Sequence, residues 1–267
     1  MPESVKSARR ALDVLELLTA REAELTFTEI GTVLDLPRSS LHGLLRTLVE
    51  AGWLEYREGS HGYALGIRTL EAGNAYSRSL TLAERAYPVM TGIRDQIGET
   101  VQLAVLDGRH NVYIAKVDGF QVLRLASEVG RRLPAHATGL GKVLLAGLTQ
   151  AEFDRVLGAA ELERYTERTV TDRQQLTRDL AVIRKRGFAE DREEYSLGVR
   201  CVAVPVRNQR AVTVAAMSVS VPTVRFHRDT AERALELLVA GASQVSAALG
   251  FNRPGHGPGR NGDGGGP

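Results

Sequence analysis

Residues 25–65, LTFTEIGTVLDLPRSSLHGLLRTLVEAGWLEYREGSHGYAL, set three local signals in one order. Thr26 and Glu29 stand three residues apart and can exchange side-chain to backbone hydrogen bonds as a capping box, with Leu25 and Ile30 at the hydrophobic-staple positions. That spacing predicts a short helix running to about Leu34. Asp35, Leu36 and Pro37 end it, because proline disfavours helical geometry in the residue before it and is accepted at the start of a new helix. A second helix is expected over residues 38–51, where Leu41, Leu44, Leu45 and Leu48 recur at i, i+3, i+4 and i+7 as one buried stripe. Its far face carries Ser39, Gly43, Arg46 and Glu50, flanked by Ser40, His42 and Thr47. Gly52 stops the helix, and residues 53–57 and 63–65 read as short strands around the loop Glu58, Gly59, Ser60, His61, Gly62.

Helix, turn, helix and hairpin in that order describe a winged helix-turn-helix, whose partner is double-stranded DNA. Short hydroxyls and an arginine near the start of an exposed second helix suit base edges and phosphates in the major groove. The candidate DNA-contacting residues are Arg38, Ser39, Ser40, His42, Gly43, Arg46 and Thr47 on that helix and His61 in the wing. A plain helical hairpin packed on a strand pair is the alternative that the same local pattern allows.

Composition bounds the rest. The 267 residues suffice for one small domain and one of ordinary size. Lys and Arg number 34 against 32 for Asp and Glu, so the chain is not a polycation that coats nucleic acid. Acidic residues outnumber basic ones over the first fifty positions, so DNA binding requires Lys6, Arg9, Arg10, Arg38 and Arg46 to gather on one face. The single cysteine, Cys201, excludes an internal disulfide and a multi-cysteine zinc site and fits a reducing cytoplasm. No apolar run approaches the roughly 18 residues of a membrane span. Ala8, Ala11, Leu12, Leu15 and Leu18 keep helical spacing around Asp13 and Glu16, which reads as a first helix and not as a secretory signal. Residues 251–267, FNRPGHGPGRNGDGGGP, have the composition of a disordered tail, where His256 is a poor metal ligand.

Between wing and tail the pattern changes. Residues 66–79 read as a helical connector, and Thr81 with Glu84 repeats the capping box ahead of a helix ending near Gly98. Strand-like runs follow from Thr100 (TVQLAVL), Asn111 (NVYIAKV) and Val122 (VLRLA), separated by Asp107-Gly108 and Asp118-Gly119 turns. Helices are expected from Gly139, after Thr149 with Glu152, and from Thr171 to a stop at Gly187; strands at 201–206 and 211–221 precede a last amphipathic helix through Leu235, Leu238 and Val245. Helices gathered around an antiparallel sheet make an α+β domain.

Four motifs, LPRSSLHGLLRTLVEAGWLE, the YALG at the wing exit, PAHATGLGKVLLA from Pro134 and GFAEDREEYSLGVRCVAVPV from Gly187, carry a resemblance to the IclR family of bacterial transcription regulators, running from about Ser4 to Leu249. The resemblance implies a winged helix-turn-helix over residues 1–65, a linker helix over 66–80 and a GAF-like effector-binding domain over 81–250. It departs at Gly43, where many members have an arginine. It implies a homodimer or homotetramer on a palindromic operator, with repression the commoner output, and Ile67, Leu70 and Tyr76 of the connector are available to a partner copy.

Strand alternation puts Ser218 and Ser220 on one face with Ala216, and Met217 and Val219 on the other. Two hydroxyls on an apolar strand demand partners if buried, although an exposed sheet face accounts for them equally well by pattern. By resemblance Asp191, Cys201, Ser218 and Ser220 line an effector pocket that Gly139 and Leu140 complete, since free N–H groups at a helix start can hold a carboxylate. The effector is then a small organic acid or aromatic compound, and a second domain serving only oligomerisation is the alternative. By itself Cys201 reads as a small buried apolar residue.

Cys201, His136 and Asp191 are also the residue types of a thiol hydrolase. No nucleophile elbow accompanies them, and Cys201 lies in a strand-like run and not at a helix start. His136 is expected to bond the loop before Gly139. Glu190, Asp191, Glu193 and Glu194 with Arg192 read as a solvated, ion-paired loop and not a metal site, and GLGK at 139–142 is too short for a phosphate loop. No catalytic residue, metal or cofactor is expected.

Overall fold

The computed structural model describes residues 5–21, 23–79, 81–120, 128–158 and 160–251, with only the backbone of residues 74, 76–79 and 81. The chain divides into two compact units, residues 1–80 and residues 81–267. The expected strand from Val122, the side chain of Tyr76, the Thr81 cap and the tail beyond Phe251 lie outside the described residues.

In the first unit α1 (Lys6–Arg21) leads into β1 (Leu25–Thr26) and α2 (Phe27–Leu34). The capping box forms: Glu29 N–H donates to Thr26 Oγ1 at 3.3 Å and Thr26 N–H to Glu29 Oε2 at 2.7 Å. Asp35 ends α2 at φ 48°, a left-handed position that short polar side chains tolerate, and its N–H donates to the Gly31 carbonyl. Pro37 then opens α3 (Arg38–Glu50). Leu41, Leu45 and Leu48 of α3 pack with Val14, Leu18, Ile30 and Leu54; Leu44, expected in that buried stripe, is only half-buried at its edge. The wing is β2 (Leu54–Arg57) paired antiparallel with β3 (Gly62–Leu65), and β1 joins the far side of β3 as a third strand that its two residues did not announce. The chain leaves the wing against the end of α3 so closely that a Cβ on Gly66 would lie 2.3 Å from the Gly52 carbonyl oxygen. There α4 (Ile67–Ser79) begins, with Ile67 and Leu70 exposed.

The second unit opens with α5 (Thr81–Ile97) and continues through β4 (Thr100–Asp107), β5 (His110–Val117) and the short β6 (Arg132–Pro134). Next come α6 (Gly139–Ala146), α7 (Gln150–Leu157), α8 (Arg173–Arg186), β7 (Ala189–Arg192), β8 (Val199–Arg207), β9 (Thr213–Pro222) and α9 (Arg228–Ala248). The strands form one antiparallel sheet in the order β6-β5-β4-β9-β8-β7. Helices α5 and α9 cover one face, crossing so tightly that a Cβ on Gly241 would come within 2.7 Å of Ile93 Cδ1. The other face, bearing Ala104, Tyr113, Ala203 and Ala216, meets α6, with α7 and α8 packed around it through Leu140, Leu144, Phe153, Leu176 and Leu180. Strands β6 and β7 were not expected: RLP is three residues, and AEDR carries two acids with no apolar alternation.

Every residue of α6 is buried. Its N-terminal turn is capped by Thr138, whose Oγ1 accepts from the Gly141 N–H at 3.1 Å, and a Cβ on Gly141 would sit 2.2 Å from Ala135 Cα. Gly43, in the middle of α3, has nothing within 4 Å of the same position. No helix among the described residues is long and apolar enough to cross a membrane. The two glycines therefore respond oppositely to alanine. Gly141→Ala forces backbone apart and is expected to cost about 1–3 kcal/mol or more. Gly43→Ala relieves only the helix-glycine penalty and is expected to gain roughly 0.5–1 kcal/mol. Urea unfolding of the full chain reads both, and a neutral Gly141→Ala would show that the approach at Ala135 is not tight.

Candidate functional site

Two surfaces in the two units bear the residue types expected of function. On α3, Arg38, Ser39, Ser40, His42, Arg46 and Thr47 are exposed, with Gly43 half-buried among them. Several already have partners. Arg46 lies 3.7 Å from Glu50, the Arg38 guanidinium sits 5.7 Å from the centre of the Phe27 ring, and Thr47 donates its hydroxyl to the Gly43 carbonyl at 2.9 Å. On α1, Arg9 is bound to Asp13 and Glu16. Exposed ion pairs of this kind are worth under about 1 kcal/mol, so a phosphate can displace them. In the wing, His61 stands at φ 50° with Nδ1 3.0 Å from the Tyr56 hydroxyl, and Glu24 holds the hairpin by accepting from Arg57 and Ser60. Tyr56 and Glu24 were not singled out from sequence; both act through contacts across the hairpin.

In the second unit the sheet register lines up residues from four strands. Asp191 on β7 pairs with Cys201 on β8, which pairs with Ser220 on β9; beside that row Ser218 pairs with Gln102 on β4. Directly opposed residues share a sheet face. These residues, with Tyr113, Leu133, Thr138, Leu140, Tyr195 and others, line a cavity of about 180 Å³. Of the residues expected there, Leu140, Asp191, Cys201, Ser218 and Ser220 reach the cavity. Gly139 is not among its lining residues: it packs against Cys201, whose sulfur would lie 2.7 Å from a Cβ at that position. Ser218 and Ser220 are buried, not on an open sheet face, and both donate to Gln102 Oε1, at 3.1 and 2.9 Å.

Burial pushes the Asp191 carboxyl up to about 7, while the Glu194 N–H that it accepts at 2.8 Å and the charge of Lys142 pull the other way. Burial also pushes the Cys201 thiol up, and the neighbouring Asp191 charge adds to it. A thiol held in its neutral form is the reverse of an activated nucleophile. The His136 ring bonds the Glu163 carbonyl at 2.9 Å instead of the loop before Gly139.

The acidic segment departs from expectation in a second way. Asp191, Glu193 and Glu194 are buried, so the segment is ion-paired but not solvated. Lys142, buried in α6, donates to Glu194 Oε1 and to the Glu190 carbonyl; Glu193 receives Arg168, the Gly198 N–H and the Thr223 hydroxyl. Among the described residues no group of three or more His, Cys, Asp or Glu side chains is placed to hold a metal ion. Sequence reading missed Gln102, Tyr113 and Tyr195. Gln102 had left a signal, since it is the polar interruption of the apolar run TVQLAVL.

Comparison with known proteins finds a match for each of the two units. Residues 7–58 match the IclR helix-turn-helix domain, and residues 74–247 match the bacterial transcriptional regulator IclR C-terminal domain. The chain is 38% identical over 249 residues to the HTH-type transcriptional regulator XynR of Escherichia coli strain K12, covering 92% of this chain and 98% of that protein. It is 31% identical to the transcriptional repressor IclR of the same organism over 251 residues, 93% of this chain and 92% of that one. Among solved structures, an IclR homolog from Microbacterium hydrocarbonoxydans complexed with 4-hydroxybenzoate superposes with a TM-score of 0.78 at 28% identity, covering 91% of this chain and 98% of that one. These relatives are named as regulators of transcription, not as enzymes. The chain belongs to the IclR family of bacterial transcription regulators.

Proposed function

We propose that the chain is a repressor whose hold on a palindromic operator is controlled by a small organic acid or aromatic effector in the cavity of the second unit. The observation that carries this reading is the row Asp191, Cys201, Ser220, with Ser218 beside it, setting buried side chains into the wall of one cavity against an apolar sheet-helix core. About 180 Å³ is below the roughly 300–1,000 Å³ of drug-sized pockets, so the effector is small, a single ring or a short acid. The homolog holding 4-hydroxybenzoate supports such a ligand. Residues 1–65 read the DNA with Arg38, Ser39, Ser40, His42, Gly43, Arg46, Thr47 and His61, residues 66–80 link, and residues 81–250 sense. The protein works as a homodimer or homotetramer in the cytoplasm, where its operator is. An effector alters DNA binding only as far as it binds one arrangement of the DNA-reading modules better than another.

Asp191 gives the pocket a pH signature. An unfolded aspartate ionises near pH 4, whereas this one ionises near 7, so between those values the folded chain holds one proton more than the unfolded chain. Its contribution to stability is therefore greatest at acid pH, falls as pH rises from about 4 to about 7, and is flat above.

Three outcomes are expected. A thermal-shift screen of small carboxylates and aromatic acids should give a ligand that raises the melting temperature of the wild type, and Ser218→Ala with Ser220→Ala should abolish that rise while sparing operator binding without ligand. Silence across the screen favours a domain that only oligomerises. Arg46→Ala should weaken operator binding by about 1–3 kcal/mol in a salt-titrated gel shift, and unchanged affinity and salt slope would remove α3 as the reader. Asp191→Asn keeps an acceptor for the Glu194 N–H but cannot ionise, so its urea midpoint should exceed that of the wild type at pH 8 and the difference should shrink at pH 5; parallel curves would contradict the raised carboxyl.

A further inference from the structure

Asp191 is a carboxyl buried without a cation of its own. It is 8% exposed on β7 and lines the cavity. Its side chain accepts one hydrogen bond, from the Glu194 N–H at 2.8 Å, and among the described residues it has no ion-pair partner. The two cations set near it serve other acids: Lys142 of α6 is bound to Glu194 and the Glu190 carbonyl, and Arg200 of β8 stands 3.7 Å from Glu190. The Glu194 carboxylate adds a like charge. Facing Asp191 from the sheet are the Cys201 thiol of β8 and the Tyr113 phenol of β5, both pushed up by burial and so neutral. Arg131, the cation of the same lining, is exposed.

An acid effector brings a second carboxylate into this space. In a cavity of about 180 Å³ no position is far from the wall that carries Asp191, and two carboxylates sharing one site oppose each other's ionisation. One proton removes the conflict. With it, one oxygen of Asp191 still accepts from the Glu194 N–H, and the other becomes an O–H that donates to the ligand in a charge-assisted bond. We propose that the cavity takes a carboxylate effector together with one proton, held between the ligand and Asp191, so that capture of the effector is coupled to pH. The inference rests on the cavity being the effector site. The bond that forms is the Asp191 O–H, its proton comes from solvent, and no other covalent bond changes. Burial has prepared the group for this step, since it already ionises only at about 7. At acid pH the proton is in place before the ligand arrives; above about 7 it must be taken up, and affinity falls by about tenfold per pH unit. A neutral amide of the same shape needs no such proton, because its own N–H donates to the ionised carboxylate.

The test is calorimetric titration of the full chain with acetate, benzoate and 4-hydroxybenzoate and with the three matching amides. Each titration is run in two buffers of different ionisation enthalpy, HEPES and Tris, so that the difference in heat counts the protons exchanged. For an acid that binds, uptake at pH 8 should approach one proton per site, and affinity should fall by about tenfold between pH 8 and pH 9. The matching amide should bind at pH 8 with no uptake. Asp191→Asn supplies a permanent N–H donor, so it should bind the acid without uptake, with affinity flat across this range and above that of the wild type at pH 9. Should that variant fail to fold, the comparison of acid with amide in the wild type decides alone. An acid bound by the wild type with no proton uptake, an amide bound where no acid is, or uptake that persists in Asp191→Asn would each overturn the proposal and leave the effector site standing. A wild type that binds none of the six probes would overturn the effector-site reading itself, and the proposal with it.

Discussion

A lysine inside a helix with no exposed residue governs the second unit. Lys142 belongs to α6, every residue of which is buried, and an ammonium taken out of water costs several kcal/mol unless it is paired and hydrogen-bonded. Its partners are the Glu194 carboxylate and the Glu190 carbonyl. The segment following β7 is therefore drawn back over the helix, and the Glu194 N–H is set to donate to Asp191. Asp191 in turn is held against the sheet beside Cys201. The acids of this segment are thus there to neutralise and orient, and the cavity inherits its one buried carboxyl from the need to satisfy a cation on its neighbour.

The closeness of α6 to its surroundings is part of the same constraint. Gly139 lies against Cys201, and Gly141 lies against Ala135, each at a distance that excludes a side chain. The helix sits deep enough for Leu140 to reach the cavity, and the space left for a ligand is small. Packing at native density leaves little room to adjust, so changes of a methyl group are felt.

How much of this was legible depended on the range of the interactions. The capping boxes at Thr26 and Thr149 are contained within four residues, and both formed. The stop at Gly187, at φ 83°, is equally local. The α+β class followed from the order of elements. What escaped depended on partners far along the chain. AEDR became β7 because β8 offered it a ladder, not because of its own alternation. The burial of Glu193 and Glu194 follows from Arg168, Thr223 and Lys142, none of which is near in sequence. Ser218 and Ser220 were recognised as a pair, but their shared acceptor is more than a hundred residues away. A lone glutamine in an apolar strand was a visible irregularity; its meaning required the register of β4 on β9.

Gly43 and Gly141 are the same amino acid under opposite constraint. The open space above Gly43 means that the surface α3 presents can acquire a side chain without any rearrangement of Leu41, Leu45 or Leu48 beneath it. Substitutions in such a place are not filtered by folding, because stability selects only against changes that the core can feel. Sequence drift at this position is therefore free to be sorted by what the helix touches from outside, while the fold that displays it stays unaltered.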